Sequence, residues 1–239
     1  MINRTTIRTT DPKAWILFGL ALLVLMAIPA SRVILAEDDG GGKQYEVTVT
    51  NLTRGETLTP LLVASHKAGL KFFELGEPAS VPLEWLAEGG VTGPLSDWFM
   101  GMPSMVREVK TSSGPVMPGG SVTVTVAGGG KFDHISVASM LVPTNDGFFA
   151  LNGVEGPKGN STLTYYSPGY DAGTEANDED CANSIPGPPP CAGTGFDPSR
   201  AGSEGYVHIH AGIHGIGSLV AADRDWRNPV AKITIRRFN

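Results

Sequence analysis

Hydrophobic and polar residues alternate along much of the chain with a period of two. Residues 45–52 (YEVTVTNL) and 121–127 (SVTVTVA) alternate β-branched or aromatic residues with polar ones, which is the pattern of a half-buried strand. Residues 135–142 (ISVASMLV) are apolar enough for a strand that is buried on both faces. Further segments show a strand pattern between Gly, Pro or Asn residues, namely 59–66, 161–166, 205–211 and 231–238.

These segments predict an all-β fold. About seven short strands between turn residues are typical of an antiparallel β-sandwich. The chain contains 31 Gly and 18 Pro, too many for long helices, and its hydrophobic content of 41% suffices for a core. Only residues 80–88 and 94–110 favour helix, the first with Ser80 as a candidate N-cap and Gly89 and Gly90 as a stop signal. We therefore expect one or two short helices in the loops.

The N-terminal segment has the composition of an export signal. Residues 1–13 carry three basic residues, and residues 14–31 contain no charge. Ala30 and Ala36 are candidate cleavage sites, but the uncharged run is close to the roughly 20 residues that span a bilayer, so an uncleaved anchor is the alternative. Both alternatives place the rest of the chain outside the cytosol.

The domain organisation follows from these boundaries. Residues 1–36 are predicted to be a signal peptide or N-terminal anchor, and residues 37–44, rich in Asp and Gly, a flexible linker. Residues 45–239 are predicted to form one sandwich domain, because no repeat is visible and the strand pattern continues to residue 238.

The two cysteines agree with export. Cys181 and Cys191 flank a proline-rich stretch, and an oxidising compartment would join them in a disulfide. A thiolate metal site is a weak alternative, because the chain has no other Cys to complete it.

The charge of the chain excludes one class of partner. The formal net charge is −6, and without residues 1–36 the chain keeps 14 basic and 23 acidic residues, a charge of −9. A nucleic-acid-binding face needs clustered Lys and Arg, so cations or neutral partners fit better.

Acidic residues are concentrated in loops that follow the predicted strands. The clusters are Asn145 with Asp146, Asp171 with Glu175, and Asp223 with Asp225. Oxygen-rich loops at one end of a sandwich suit calcium, which takes six to eight oxygen ligands in flexible geometry.

The chain also carries a family resemblance. It resembles the spondin domain of F-spondin and mindin, and most closely the bacterial secreted relatives of that domain, in YEVTVTNLT, ASMLVPTNDGFFALNGV, YDAGTEANDED and GYVHIHAGIHGIG followed by DWRNPVAKITI. The resemblance covers nearly all of residues 45–239. It implies a β-sandwich similar to calcium-dependent membrane-docking domains, with one calcium ion at the loop end.

The resemblance also implies the ligands of that ion. Carboxylates of two loops hold calcium in the family, and the matching residues here are Asp146, Asp171 and Glu175. Glu175 stands where the animal proteins usually carry Asp, and Gly147 stands where an aromatic residue commonly follows the loop Asp. The animal domains act in matrix adhesion and cell-surface recognition, which implies an extracellular or cell-surface macromolecule as partner without identifying it.

The histidines indicate an alternative. His208, His210 and His214 lie in HIHAGIH, where a spacing of two would place the first two imidazoles on one face of a strand. Such a trio could bind zinc or copper, although partly buried histidines that tie loops together by hydrogen bonds are commoner. His66 and His134 are expected to be surface or packing residues.

The sequence therefore predicts a secreted or periplasmic calcium-binding recognition or adhesion module without catalytic activity. Sequence motifs for a nucleophile elbow, a zinc-protease helix or a phosphate-binding loop are missing. The alternatives are a periplasmic zinc or copper protein that uses the histidines and, with less support, a hydrolase. Membrane contact is expected only through residues 14–31, if they are retained.

Overall fold

The alternating segments pair into two antiparallel sheets in the computed structural model. The structure describes residues 42–182, 185–187, 191–193 and 195–238. The predicted signal or anchor segment, 1–36, and residues 37–41 of the predicted linker lie outside the described residues. The first strand begins at Gln44, which the sequence had placed in the linker.

The strands and helices follow one another in the order β1 (Gln44–Asn51), β2 (Thr57–Leu58), β3 (Leu62–His66), α1 (Val81–Gly89), α2 (Gly93–Met100), β4 (Val106–Thr111), β5 (Ser121–Ala127), β6 (His134–Val142), β7 (Gly147–Glu155), β8 (Thr162–Ser167), β9 (Gly169–Asp171), β10 (His208–Ile209), α3 (Ala221–Arg224) and β11 (Ala231–Phe238). One sheet has the order β5-β1-β11-β8. The other has the order β10-β9-β7-β6-β3-β4, with β2 paired to β6. The predicted all-β sandwich is confirmed.

The alternation in β1 decides which side of the smaller sheet is buried. Val47 and Val49 are fully buried, whereas Thr48 and Thr50, which alternate with them, are partly exposed. Both valines belong to a core that also contains Val137 of β6, in the opposite sheet. The core therefore fills the space between the two sheets.

The larger sheet is buried on both faces. Val137 packs into the core between the sheets, and the next residue, Ala138, belongs to a second core with Leu83 of α1 and Phe99 of α2. The helices thus cover the face of β6 that points away from the smaller sheet. This explains the continuous apolar run at 135–142 and confirms its predicted burial.

Three predicted elements differ in the structure. The helix predicted over 94–110 ends at Met100, and its second part contains strand β4, because Gly101 and Pro103 interrupt the helix and the β-branched residues of VREVKT pair with β3. The segment 59–66 is shorter as a strand, which begins at Leu62. Of the segment 205–211, only His208–Ile209 forms a strand.

Strand β7 was not predicted. Its sequence, GFFALNGVE, lacks an alternating pattern because the first five residues are buried and contact both cores. Strand β9 has three residues, which is too short for a periodic signal.

The predicted signals for α1 and the predicted disulfide are both present. The Ser80 side chain accepts a hydrogen bond from the Leu83 N–H, and Gly90 ends the helix with φ of 65°. Cys181 and Cys191 are joined in a disulfide. All described residues belong to one compact unit, and the helices among them are too short or too polar to span a membrane.

Candidate functional site

The predicted calcium residues lie at one end of the larger sheet. Asp146 immediately precedes β7, and Asp171 is the last residue of β9. Gly147 pairs with Asp171 in the register of these two strands, which brings Asp171 next to Asp146. Glu175 lies in the loop that follows β9, and its backbone N–H donates to Asp146. The structure thus brings all three residues together and buries them.

The Asp146 carboxylate is held by the loop after β9. Its Oδ2 atom accepts hydrogen bonds from the Thr174 N–H at 2.7 Å, the Thr174 hydroxyl at 3.2 Å and the Glu175 N–H at 3.1 Å. Its Oδ1 atom is buried and makes no hydrogen bond with any described part of the chain. A buried carboxylate oxygen without a partner is costly, so this atom needs an explanation.

Asp171 is also buried, but both of its carboxylate oxygens accept hydrogen bonds. Its Oδ1 atom accepts the Gly173 N–H at 2.8 Å, and its Oδ2 atom accepts from the Asn177 amide at 2.6 Å. The same Asn177 amide donates to Glu204 at 3.2 Å. Asp171 is therefore fixed in position by its own loop.

Burial dominates the electrostatics of this pair. Burial raises the pKa of Asp146, and the neighbouring Asp171 charge raises it further, although the Thr174 and Glu175 N–H groups lower it. Burial also raises the pKa of Asp171, as does the Glu204 charge, against the hydrogen bonds from Asn177 and Gly173 and a hydrogen bond with the Asp146 carboxyl group, which lower it. Two ionised carboxylates in such a buried site would repel each other, and a bound cation would offset that repulsion.

The neighbouring loop packs onto the same end. Asn145 donates through its side-chain amide to Asp178 at 3.0 Å and accepts the Glu179 N–H at 3.2 Å. A Cβ atom on Gly147 would lie 2.6 Å from the Thr144 hydroxyl oxygen and 3.1 Å from the His210 ring. The glycine that departs from the spondin pattern is therefore required by the packing of this chain.

The acidic residues do not form a ready-made metal cage. Within the described ranges, no group of three or more His, Cys, Asp and Glu residues is arranged to hold a metal ion. Much of the oxygen capacity of Asp146 and Asp171 is already taken by N–H groups of residues 173–177. Asp223 pairs with Arg54 at 3.6 Å, and Asp225 pairs with Arg227, so the third predicted cluster makes other contacts.

The histidine trio is split among different environments. His208 lies opposite Asp171, with its Nδ1 atom 3.6 Å from the Asp171 Oδ1 atom. His210 is buried and lies just outside β10, and His214 is exposed. His208 and His210 were predicted to share one face of a strand. Only His208 lies in a strand, because β10 has only two residues.

One hydrogen bond engages the Nδ1 atom of His210. Its Nδ1 atom accepts the Gly212 N–H at 2.9 Å, so the neutral ring carries its proton on Nε2. Burial lowers the pKa of His210 to about 4, and the charges of His208 and His214 lower it further. The ring is thus neutral at physiological pH, and its buried Nε2 atom has no hydrogen-bond partner within the described chain. The ring packs against Trp226, with the ring centroids 4.9 Å apart.

Several buried acids were missed by the sequence analysis. Glu179 accepts the N–H groups of His214 and Gly215 at 2.6 Å and of Ile216 at 3.0 Å. Its carboxylate therefore fixes the loop that contains these three residues. Glu88 of α1 accepts the Asp197 N–H at 2.7 Å, whereas its other oxygen makes no hydrogen bond within the described chain. Glu179 lies in the acidic run NDED, which is a visible signal. Glu88 gives none, because an acid on a short helix usually faces solvent.

The environment of Glu88 connects it to the predicted site. Burial raises the pKa of Glu88 to about 7, and the charges of Glu84 and Asp146 contribute to the rise. The Asp197 N–H and the Thr174 hydroxyl lower it. Thr174 is also the residue that donates twice to Asp146.

Comparisons with known proteins do not place the chain in a family. No model of a protein family matches it, and no curated protein matches it. The resemblance to spondin domains therefore stays a prediction.

Proposed function

We propose that this chain is an exported, non-catalytic recognition or adhesion module that binds one calcium ion at Asp146, Asp171 and Glu175. One observation carries the proposal. The Asp146 Oδ1 atom is buried without a hydrogen-bond partner among the described residues, and the register of β7 with β9 brings the buried Asp171 next to Asp146. A divalent cation at this atom would satisfy it and offset the repulsion between Asp146 and Asp171.

Calcium suits this end of the sandwich better than a transition metal. Calcium accepts backbone carbonyl oxygens and waters together with carboxylates, so a small number of carboxylates suffices. Zinc and copper favour nitrogen and sulfur, and the His210 Nδ1 atom is already engaged by the Gly212 N–H. The zinc or copper alternative remains a prediction, and the experiment below includes it.

Export is supported by the chemistry of the chain. A disulfide persists in an oxidising compartment, and the charge pattern of residues 1–31 is that of a signal or anchor. We propose a secreted or periplasmic location and an extracellular or cell-surface macromolecule as partner. Contact with a membrane would run only through the N-terminal segment, if it is retained.

A serine and a histidine do meet in the fold, but in a place unsuited to catalysis. The His66 Nε2 atom lies 2.8 Å from the Ser136 hydroxyl, and the His66 Nδ1 atom lies 2.8 Å from the Lys67 carbonyl oxygen. Both side chains are fully buried, so a substrate could not reach the hydroxyl. This supports a packing role for His66.

The first experiment measures metal content and metal-dependent stability. The protein, purified without chelator, is analysed for bound elements and then melted in EDTA and after calcium, zinc or copper is returned singly. We expect one calcium per chain and a rise in Tm with calcium that corresponds to roughly 3–4 kcal/mol at a hundred to a thousand times Kd. Asp146→Asn should abolish this rise, because it removes the charge at the unsatisfied oxygen.

A buried acid outside the proposed ligand set provides the control. Glu179→Gln removes a carboxylate that accepts three backbone N–H groups, so we expect a lower Tm with and without calcium and an unchanged calcium increment. An equal calcium increment in Asp146→Asn and the unmodified chain would refute the site. Binding of zinc or copper that is lost in His208→Ala or His210→Ala would favour the histidine alternative.

A further inference from the structure

Within the described chain the two sheets end in four edge strands, and three of these edges are protected. Strand β10 has only two residues. Strand β4 carries three charged residues, Arg107, Glu108 and Lys110. Two of them also cover the edge of β5, since Lys110 Nζ donates to the Thr125 carbonyl oxygen at 2.8 Å and Glu108 accepts the Ala127 N–H at 2.6 Å. Short strands, charged side chains and covered edges keep a sheet from pairing with another chain.

The edge of β8 has none of these protections. Its sequence, TLTYYS, contains no charged residue and no Pro, and its pairing with β11 runs over all six residues without a bulge. Four of its first five residues are exposed, and the other one, Tyr165, is partly exposed. Among the described strands, only β11 pairs with β8. The backbone groups of β8 that point away from β11 therefore lack a strand partner there.

The exposed part of β8, residues 162–166, is complementary to a second copy of itself. In an antiparallel pair of two such strands with a two-fold axis at Thr164, Thr162 faces Tyr166 of the second copy. A pair of a β-branched and an aromatic residue stabilises a ladder of this kind. Leu163 faces Tyr165 of the second copy, and this contact buries apolar surface that the single chain exposes. No charged residue lies opposite another in this register.

The charges nearest to the β8 edge also permit this pairing. Lys232 and Arg236 of β11 lie opposite Tyr166 and Thr162, respectively. In the joined sheet, Arg236 of one copy and Lys232 of the other would lie three strand spacings apart, about 14 Å, which exceeds the Debye length of about 8–10 Å. Arg236 also forms an ion pair with Glu46 of β1 at 3.1 Å. Repulsion between two copies along β8 is therefore weak.

We propose that two copies of this chain associate through β8, so that their smaller sheets join into one antiparallel sheet of eight strands. The pairing is centred on Thr164 and goes beyond the proposed function, because it does not involve the predicted calcium residues. The contact of two short strands is small compared with the roughly 1,200–2,000 Å² of a stable interface, so we expect a reversible dimer. For a recognition module, two binding ends in one particle raise the avidity for a multivalent surface.

Sedimentation velocity of the purified chain, from about 1 to about 200 µM, tests this association. We expect a monomer–dimer equilibrium in the unmodified chain. Thr164→Lys places two positive charges directly opposite each other at the two-fold axis, so it should weaken dimerisation by about tenfold or more. Thr123→Lys is the matched control. It adds the same charge to an exposed threonine in the same row of the same sheet, but on β5, so dimerisation should not change.

Single cysteines test the register of the pairing. Cys181 and Cys191 are already joined, so an added cysteine is the only free thiol. Thr164→Cys places two cysteines opposite each other with Cα atoms about 4.5–5.5 Å apart, which permits a disulfide between copies. In Thr162→Cys the two cysteines lie about 13 Å apart along the strands, too far for a disulfide. We expect mild oxidation to crosslink only the first variant, which also tests the proposal if Thr164→Lys does not fold.

Three outcomes would overturn the proposal. A chain that stays monomeric over the whole concentration range would leave the β8 edge to an extended segment of another protein. A dimer that tolerates Thr164→Lys as well as Thr123→Lys would place the contact elsewhere on the chain. Equal crosslinking of the two cysteine variants would exclude a pairing centred on Thr164. The calcium site is tested separately, by the response of Tm to calcium.

Discussion

At the scale of single residues, the fold buries acids whose environments differ sharply. Asp146, Asp171 and Glu175 were predicted as site residues and do lie together. Glu56, Glu84, Glu88 and Glu179 are equally buried, yet their burial could not be predicted, because it depends on segments far away in the chain. Arg200, which pairs with Glu84, is an example of such a distant partner.

Glu56 leads to a prediction about pH. It is completely buried, and neither of its carboxylate oxygens makes a hydrogen bond within the described chain. Burial raises its pKa from 4.5 to about 8, although the Arg224 charge opposes the rise. The folded state therefore holds this proton more tightly than the unfolded state. The resulting stabilisation is complete below pH 4.5 and is lost as the pH rises towards 8.

We expect Glu56→Gln to remove this loss. At pH 8 the variant should exceed the unmodified chain in free energy of unfolding by several kcal/mol, since each pKa unit corresponds to about 1.4 kcal/mol. At pH 4 the two should be similarly stable. Urea unfolding at both pH values measures the difference, and comparing the variant with the parent cancels the contributions of Asp146 and Glu88. A parallel pH dependence in the two proteins would contradict the prediction.

At the scale of elements, local sequence signals predicted an element correctly where its ends depend on neighbouring residues and not on tertiary contacts. Ser80 and Gly90 delimit α1 as predicted, because capping depends on residues within one turn of the helix end. The helix predicted over 94–110 was wrong beyond Met100, since β4 gains its ladder of hydrogen bonds from β3. Strand β7 was missed because burial on both faces removes the alternation on which strand prediction depends.

The C-cap of α1 gives a prediction at this scale. Gly90 has φ of 65°, and a Cβ atom there would lie 2.6 Å from the Thr59 side chain, whose hydroxyl bonds to Ser139 and Met140. Gly90→Ala should therefore lower the free energy of unfolding by about 1–3 kcal/mol. Gly93→Ala is the matched control, because a Cβ at Gly93 meets nothing within 4 Å and its φ is not positive. Denaturant unfolding should show a change of less than about 0.5 kcal/mol in the control.

At the scale of the whole molecule, the disulfide closes a loop next to the core. Cys181 and Cys191 are 10 residues apart and both belong to the core between the sheets. Replacing both with Ala should lower the free energy of unfolding by about 2–3 kcal/mol, as expected from the chain entropy of so short a loop. Thermal melts with and without a reducing agent measure this loss. The reductant should destabilise the parent and leave the double variant unchanged, and an equal effect on both would contradict the prediction.

The sandwich, the first helix and the disulfide could be predicted because each depends on neighbouring residues: strand periodicity, helix caps and the spacing of two cysteines. The predicted calcium residues depended on a resemblance, and their shared burial follows from the pairing of β7 with β9, which places Gly147 opposite Asp171. The direction in which each carboxylate points and the hydrogen bonds from Thr174 to Asp146 were decided only by tertiary packing. These contacts join segments tens of residues apart, and periodicity carries no information about which distant segments will meet.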